Sequence, residues 1–160
     1  MILGMSVFLF LHVLLSLIGI FAGFVVLYGL LTSKRLDGWT PLFLATTAAT
    51  SVTGFFFPFH GFTPAIGVGV VSVVVLLVAI SARYSFGLAG RWRWIYAATA
   101  VIALYLNTFV LVAQAFQKVP ALHALAPQGT EPPFAVAQGV LLLLFVVAGV
   151  FSLRRFRPIS

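Results

Sequence analysis

Few residues in this chain have side chains capable of chemistry, and most of them fall into one group. The histidines are His12, His60 and His123, the acids are Asp37 and Glu131, and amides occur at Asn107, Gln114, Gln117, Gln128 and Gln138. There is no cysteine, which excludes disulfides, thiolate metal sites and thiol catalysis. Both acids lie outside the apolar runs, so paired-carboxylate acid–base catalysis has no candidates. No Gly-rich phosphate loop, H-E-x-x-H motif or nucleophile elbow is present. An enzyme is not the expected reading.

Asn107 and Gln114 are seven residues apart, so on a helix they share a face, and Gln117 continues that line. Three readings of the polar set compete. In the first, Asn107, Gln114 and Gln138 hydrogen-bond between helices and the histidines are interfacial. In the second, His12, Asn107, Gln114, Gln117 and Gln138 line a mostly apolar cavity suited to a lipid-like or quinone-like molecule. In the third, His12 and His60 ligate a metal or b-type haem, since paired histidines can hold haem iron. A further candidate is a docking loop carrying Lys118, His123 and Glu131.

The elements that position these residues follow from composition. The chain has 160 residues, 62% apolar, with nine Lys and Arg and two Asp and Glu. A soluble domain carries roughly a quarter charged residues, and one of this length lacks the interior to bury so much apolar surface. Lipid is the solvent that fits. The formal net charge of +7 is not a nucleic-acid signal, because the cations cluster between apolar runs instead of forming a basic stripe with interleaved aromatics.

A membrane-crossing helix needs about 20 mostly apolar residues. Five segments qualify: 5–31, 41–57, 64–82, 94–116 and 134–153. Residues 2–31 form an apolar run too long for a signal-peptide core, and no Lys or Arg precedes Lys34, so a retained helix is expected. Segment 41–57 is the weakest, being short and rich in hydroxyls. Pro41 and Pro64 sit where a first-turn proline is tolerated. The short link through His60 makes the second and third helices antiparallel neighbours.

The loop cations fix an orientation. Lys34, Arg35, Arg83, Arg91, Arg93, Arg154, Arg155 and Arg157 fall on one side, and Lys118 alone on the other. The N-terminus is therefore expected outside and the C-terminus in the cytoplasm. Trp39, Trp92 and Trp94, with Tyr28, Tyr84 and Tyr96, are expected at the inner interface. The outer side is rich in Phe and holds the loop 117–133, whose prolines exclude a long helix but allow one short turn near 121–126. Charged residues are expected in no span, leaving the inner half apolar and any function on the outer side.

Small residues mark the helix contacts. Gly19 and Gly23 form a GxxxG pair, Thr46, Thr50 and Gly54 recur every four residues, and Gly67, Gly69 and Ser72 lie near the start of the third helix. Contact faces inside the bundle are expected, with a homodimer seam through Gly19 and Gly23 as the alternative. The stretch 114–134, with Tyr105, Leu106 and Asn107 before it, resembles small multi-pass membrane proteins encoded in many bacterial genomes. That resemblance implies a bacterial inner (plasma) membrane location and carries no activity or site with it.

The expected fold is thus all-α, a single domain of five transmembrane helices in contact with the bilayer. The expected role is that of a membrane subunit or a protein binding an apolar ligand or partner, itself included. A redox protein holding haem b or quinone is the alternative, and a small transporter or channel a third.

Overall fold

The computed structural model describes residues 7–34, 36–56, 64–127 and 131–156. It is all-helical, with no strand among those residues. The helices are α1 (Val7–Thr32), α2 (Trp39–Gly54), α3 (Pro64–Ile80), α4 (Trp92–Lys118), α5 (Pro120–Leu125) and α6 (Pro132–Arg155). The helix of α3 continues through one π-helical turn, Ser81–Ser85.

Four stretches are long and apolar enough to cross a bilayer: Phe10–Thr32, Ile66–Ser85, Trp92–Phe116 and Pro132–Arg155. The fifth expected segment, α2, has 16 residues. At 1.5 Å per residue it reaches roughly 24 Å, less than the ~30 Å hydrocarbon core. Its hydroxyls are tied back to its own backbone. Thr46, Thr50 and Thr53 each donate to the carbonyl four residues earlier, at 2.7–2.8 Å. That pairing is what lets a threonine-rich helix lie in an apolar interior.

Helix α4 is the centre of the bundle and packs against α1, α3, α5 and α6, while α1 also contacts α2 and α6. The face of α4 bearing Ala97, Ala100, Ala103 and Leu104 is buried. Alanines there let neighbouring backbones come close, which is how helices associate in lipid. Gly19 and Gly23 face the same chain. A Cβ on Gly19 would lie 3.0 Å from Thr47 Oγ1, and one on Gly23 would run into Leu104 Cδ1 and sit 2.9 Å from the Phe43 ring. These glycines therefore form an intramolecular contact, as expected of contact faces inside the bundle. By contrast, α6 buries only Gln138, Phe145 and Ser152. Their seven-residue spacing makes one narrow stripe, so α6 rests on the bundle along an edge.

The loops join the helices tightly at the end of the bundle where most cations lie. Ser33 ends α1 in the left-handed region (φ 58°), and Lys34 N–H closes back onto Gly29 O at 2.7 Å. Leu36 then folds over Gly29, where a Cβ would meet Leu36 Cδ1 at 2.6 Å. Glycine is required there by that close approach.

Several sequence expectations change. Gln117, Lys118, Pro132 and Pro133 belong to helices, so the loop expected over 117–133 is shorter, and its expected short turn is α5. Tyr96 is 0% exposed and belongs to the core, not to an interfacial belt. Tyr28, Tyr84, Trp39 and Trp94 are exposed as expected, and Trp92 stacks on Phe86 with ring centroids 4.1 Å apart. Arg83, expected outside every span, is 3% exposed within the apolar stretch Ile66–Ser85.

Candidate functional site

Two polar sites stand out, one in each half of the bundle. The first is a seam between α1, α2 and α4. His12, Ser16, Gly19 and Gly23 recur at four, three and four residues, the spacing of a single helix face. At the top of this face His12 Nδ1 lies 2.7 Å from Thr53 Oγ1. The Thr53 proton is directed at Ala49 O, 2.7 Å away. One turn further in, Ser16 Oγ donates to Asn107 Oδ1 at 3.2 Å.

Below that bond the seam is not fully paired. Asn107 is 8% exposed and Thr47 2% exposed. Among the described residues, Asn107 Nδ2 and Thr47 Oγ1 have no hydrogen-bond partner. Both atoms converge on Gly19: a Cβ there would be 3.4 Å from the first and 3.0 Å from the second. A buried donor left unpaired costs roughly 1–3 kcal/mol, more than the net gain from one ordinary hydrogen bond.

The seam opens away from the basic end. On α4 the face that is buried at Leu104 (1% exposed) and Asn107 is 37% exposed at Leu111, and Gln114 is exposed. Asn107 and Gln114 do share a helix face, but the structure covers only the first. Gln138 belongs elsewhere. Its Nε2 donates to Phe109 O on α4 at 3.2 Å, and its Oε1 has no partner among the described residues. Phe109 is two residues, roughly 200°, around α4 from Asn107, so Gln138 lies in the α4–α6 contact. Of the residues expected to line one cavity, His12 and Asn107 meet in the seam with Ser16, Thr47 and Thr53, Gln114 lies on the uncovered part of the same α4 face, and Gln138 lies apart.

The other expected residues are placed as follows. His123 is exposed on α5, which buries none of its residues. Glu131 is the N-cap residue of α6 in extended conformation, where a carboxylate complements the helix dipole. His60 and the side chains of Gln117 and Lys118 lie outside the described residues, and with His60 goes the geometry of any His12–His60 pair. Among the described residues no three His, Cys, Asp or Glu side chains group as a metal site.

The second site was missed by sequence reasoning. Arg83 Nη2 donates to Asp37 Oδ1 at 2.6 Å, and its Nη1 donates to the Tyr96 hydroxyl at 3.2 Å. The Arg83 side chain is 2% exposed and that of Asp37 74%. Phe156 packs against Tyr96 with centroids 5.7 Å apart, and Thr40, in the first turn of α2, is fully buried. The three non-glycine residues with positive φ among those described, Ser33, Leu36 and Leu88, all lie in the loops of this end. Each such conformation costs about 1 kcal/mol or more. The ion pair holds the strained loop at Leu36 against the end of α3. The available signal was that Asp37 is the one acid among eight cations on its side of the chain.

No protein-family model, curated protein or solved structure matches this chain.

Proposed function

We propose that the chain is a five-span protein of a bacterial inner membrane, with its N-terminus outside and its C-terminus in the cytoplasm. In this reading it is a non-enzymatic binding protein or membrane subunit. The α1–α2–α4 seam takes the carbonyl-bearing head of an apolar molecule, lipid-like or quinone-like, from the outer leaflet. The observation that carries this reading is the convergence of the unpaired Asn107 amide and Thr47 hydroxyl on Gly19, at the depth where the α4 face begins to open. Two donors beside each other in an apolar wall suit one acceptor oxygen, and a mostly apolar site with a few convergent polar groups is the usual form of a lipophile pocket. The exposed α5 turn supports a partner docking at the same end.

Orientation rests on the eight-to-one division of Lys and Arg between the two sides. A cytoplasm-active reporter fused after Ser160 is expected to be active, and a periplasm-active one silent. The reverse pattern refutes the orientation. For the ligand, native mass spectrometry of protein in mild detergent is expected to show one retained lipid or quinone in the wild type. Asn107→Leu keeps the branched shape of the side chain and removes both polar atoms of its amide. Retention is expected to fall about tenfold, the factor for one lost buried hydrogen bond of ordinary strength. No retained molecule in either protein overturns the reading.

A further inference from the structure

A second feature is independent of the polar seam. Between α4 and α6 runs an open groove of about 260 Å³, lined by Val101, Ile102, Tyr105, Phe145, Gly149 and Leu153 among others, with almost no polar surface. It exists because α6 meets the bundle along one edge and because position 149 carries no side chain. A Cβ there would already touch Val101 Cγ1 at 3.6 Å.

The dimensions of the groove indicate what fills it. On α6 it extends from Leu142 to Leu153, roughly 16 Å of helix. That is half of the ~30 Å hydrocarbon core, the depth of one leaflet. At mid-depth it ends at Tyr105, whose ring packs on Phe145 and Phe109 at 5.5 and 6.1 Å. One acyl chain fits.

The other end of the groove is cationic. On α4 the lining stripe through Ala98 continues four and seven residues earlier to Trp94 and Arg91. Arg91 has helical backbone angles, so it stays in that line, and both residues are exposed. On α6, Leu153 is followed by the exposed Arg154. The first turn of α4 contains no acid to offset Arg91 and Arg93, an arrangement the helix dipole disfavours and a phosphate would relieve.

We infer that this groove binds one anionic phospholipid, its acyl chain between α4 and α6 and its phosphate at Arg91 beside Trp94. Arg155 is the internal control, because its guanidinium lies over Phe151, away from the groove.

The test is native mass spectrometry of protein transferred from nanodiscs of either phosphatidylglycerol or phosphatidylcholine. One retained phosphatidylglycerol is expected, and no phosphatidylcholine. Arg91→Ala is expected to lower that retention about fivefold, the factor for one basic residue at an anionic surface. Arg91→Lys is expected to restore it. Arg155→Ala and Asn107→Leu are expected to leave it unchanged, which separates this site from the polar seam. Gly149→Leu, which fills the groove, is expected to abolish it. Should that variant fail to fold by circular dichroism, the two Arg91 variants decide. Equal retention of phosphatidylcholine, or equal loss in Arg91→Ala and Arg155→Ala, overturns the proposal. So does a lipid-free wild-type dimer, which would mark the face as an interface between copies.

Discussion

Replacing Asp37 by alanine is expected to destabilise the protein by about 2 kcal/mol, within the range for a hydrogen bond to a charged group, since Arg83 keeps its bond to the Tyr96 hydroxyl. Replacing Arg83 by methionine is expected to cost much less. The asymmetry follows from exposure: the arginine side chain is 2% exposed and the aspartate 74%. Without Asp37, a guanidinium in the protein interior loses the carboxylate oxygen that lies 2.6 Å from it. Without Arg83, a carboxylate that water already reaches simply hydrates, and the methionine fills apolar space. Asp37→Asn keeps an acceptor oxygen and should fall between. The double variant, Asp37→Ala with Arg83→Met, should recover most of the loss, because the two effects share one interaction. Equilibrium unfolding by SDS titration in mixed micelles measures all four. Equal losses for Asp37→Ala and Arg83→Met would show that the pair is a surface contact without structural weight.

Gly23→Val is expected to cost about 3 kcal/mol, the top of the usual range for forcing atoms into a packed core. The added carbon would collide with Leu104 Cδ1 and lie 2.9 and 3.1 Å from two atoms of the Phe43 ring. The leucine methyl can swing aside. The phenyl ring, 1% exposed, has nowhere to go, so α1 must move off α2 and α4. Gly139→Ala is the matched control, since a Cβ at Gly139 meets nothing within 4 Å. It should be neutral or gain up to ~1 kcal/mol from helix propensity. The same SDS titration reports both, and a Gly23→Val protein as stable as Gly139→Ala would show that the glycine contact does not hold the bundle together.

Much of the fold is legible in the chain because each of the four long helices is a mostly apolar run, three of them with proline or charge at an end. The boundaries move by only a few residues, and the short turn between Pro120 and Leu125 falls where the prolines permit one. The GxxxG pair and the small residues of α2 and α3 do mark contact faces. For example, a Cβ on Gly69 would lie 3.0 Å from Phe55. What composition hides is depth and pairing. Arg83 follows an apolar run as any flanking charge does, and only the folding of the α1–α2 loop puts Asp37, 46 residues away in sequence, against it. Tyr96 reads as a belt residue for the same reason. At the candidate site, helical spacing correctly links Asn107 and Gln114 on a face, but whether a face is covered depends on how neighbouring helices diverge. Ser16 and Thr47 lack the chemical prominence of a histidine, and only the three-dimensional arrangement brings them beside Asn107.

The brevity of α2 bears on where such a protein would reside. As a spanning helix, its 16 residues fall roughly 6 Å short of the average hydrocarbon core. The long helices beside it can tilt to shed their excess, but a short helix cannot stretch. Spanning would require the lipid next to α2 to thin, at a fraction of a kcal/mol per Å of mismatch. The threonine-rich helix that carries Thr47 and Thr53 of the polar seam would thus bias the whole protein toward thinner bilayers, and lipid chain length would act on the seam through it.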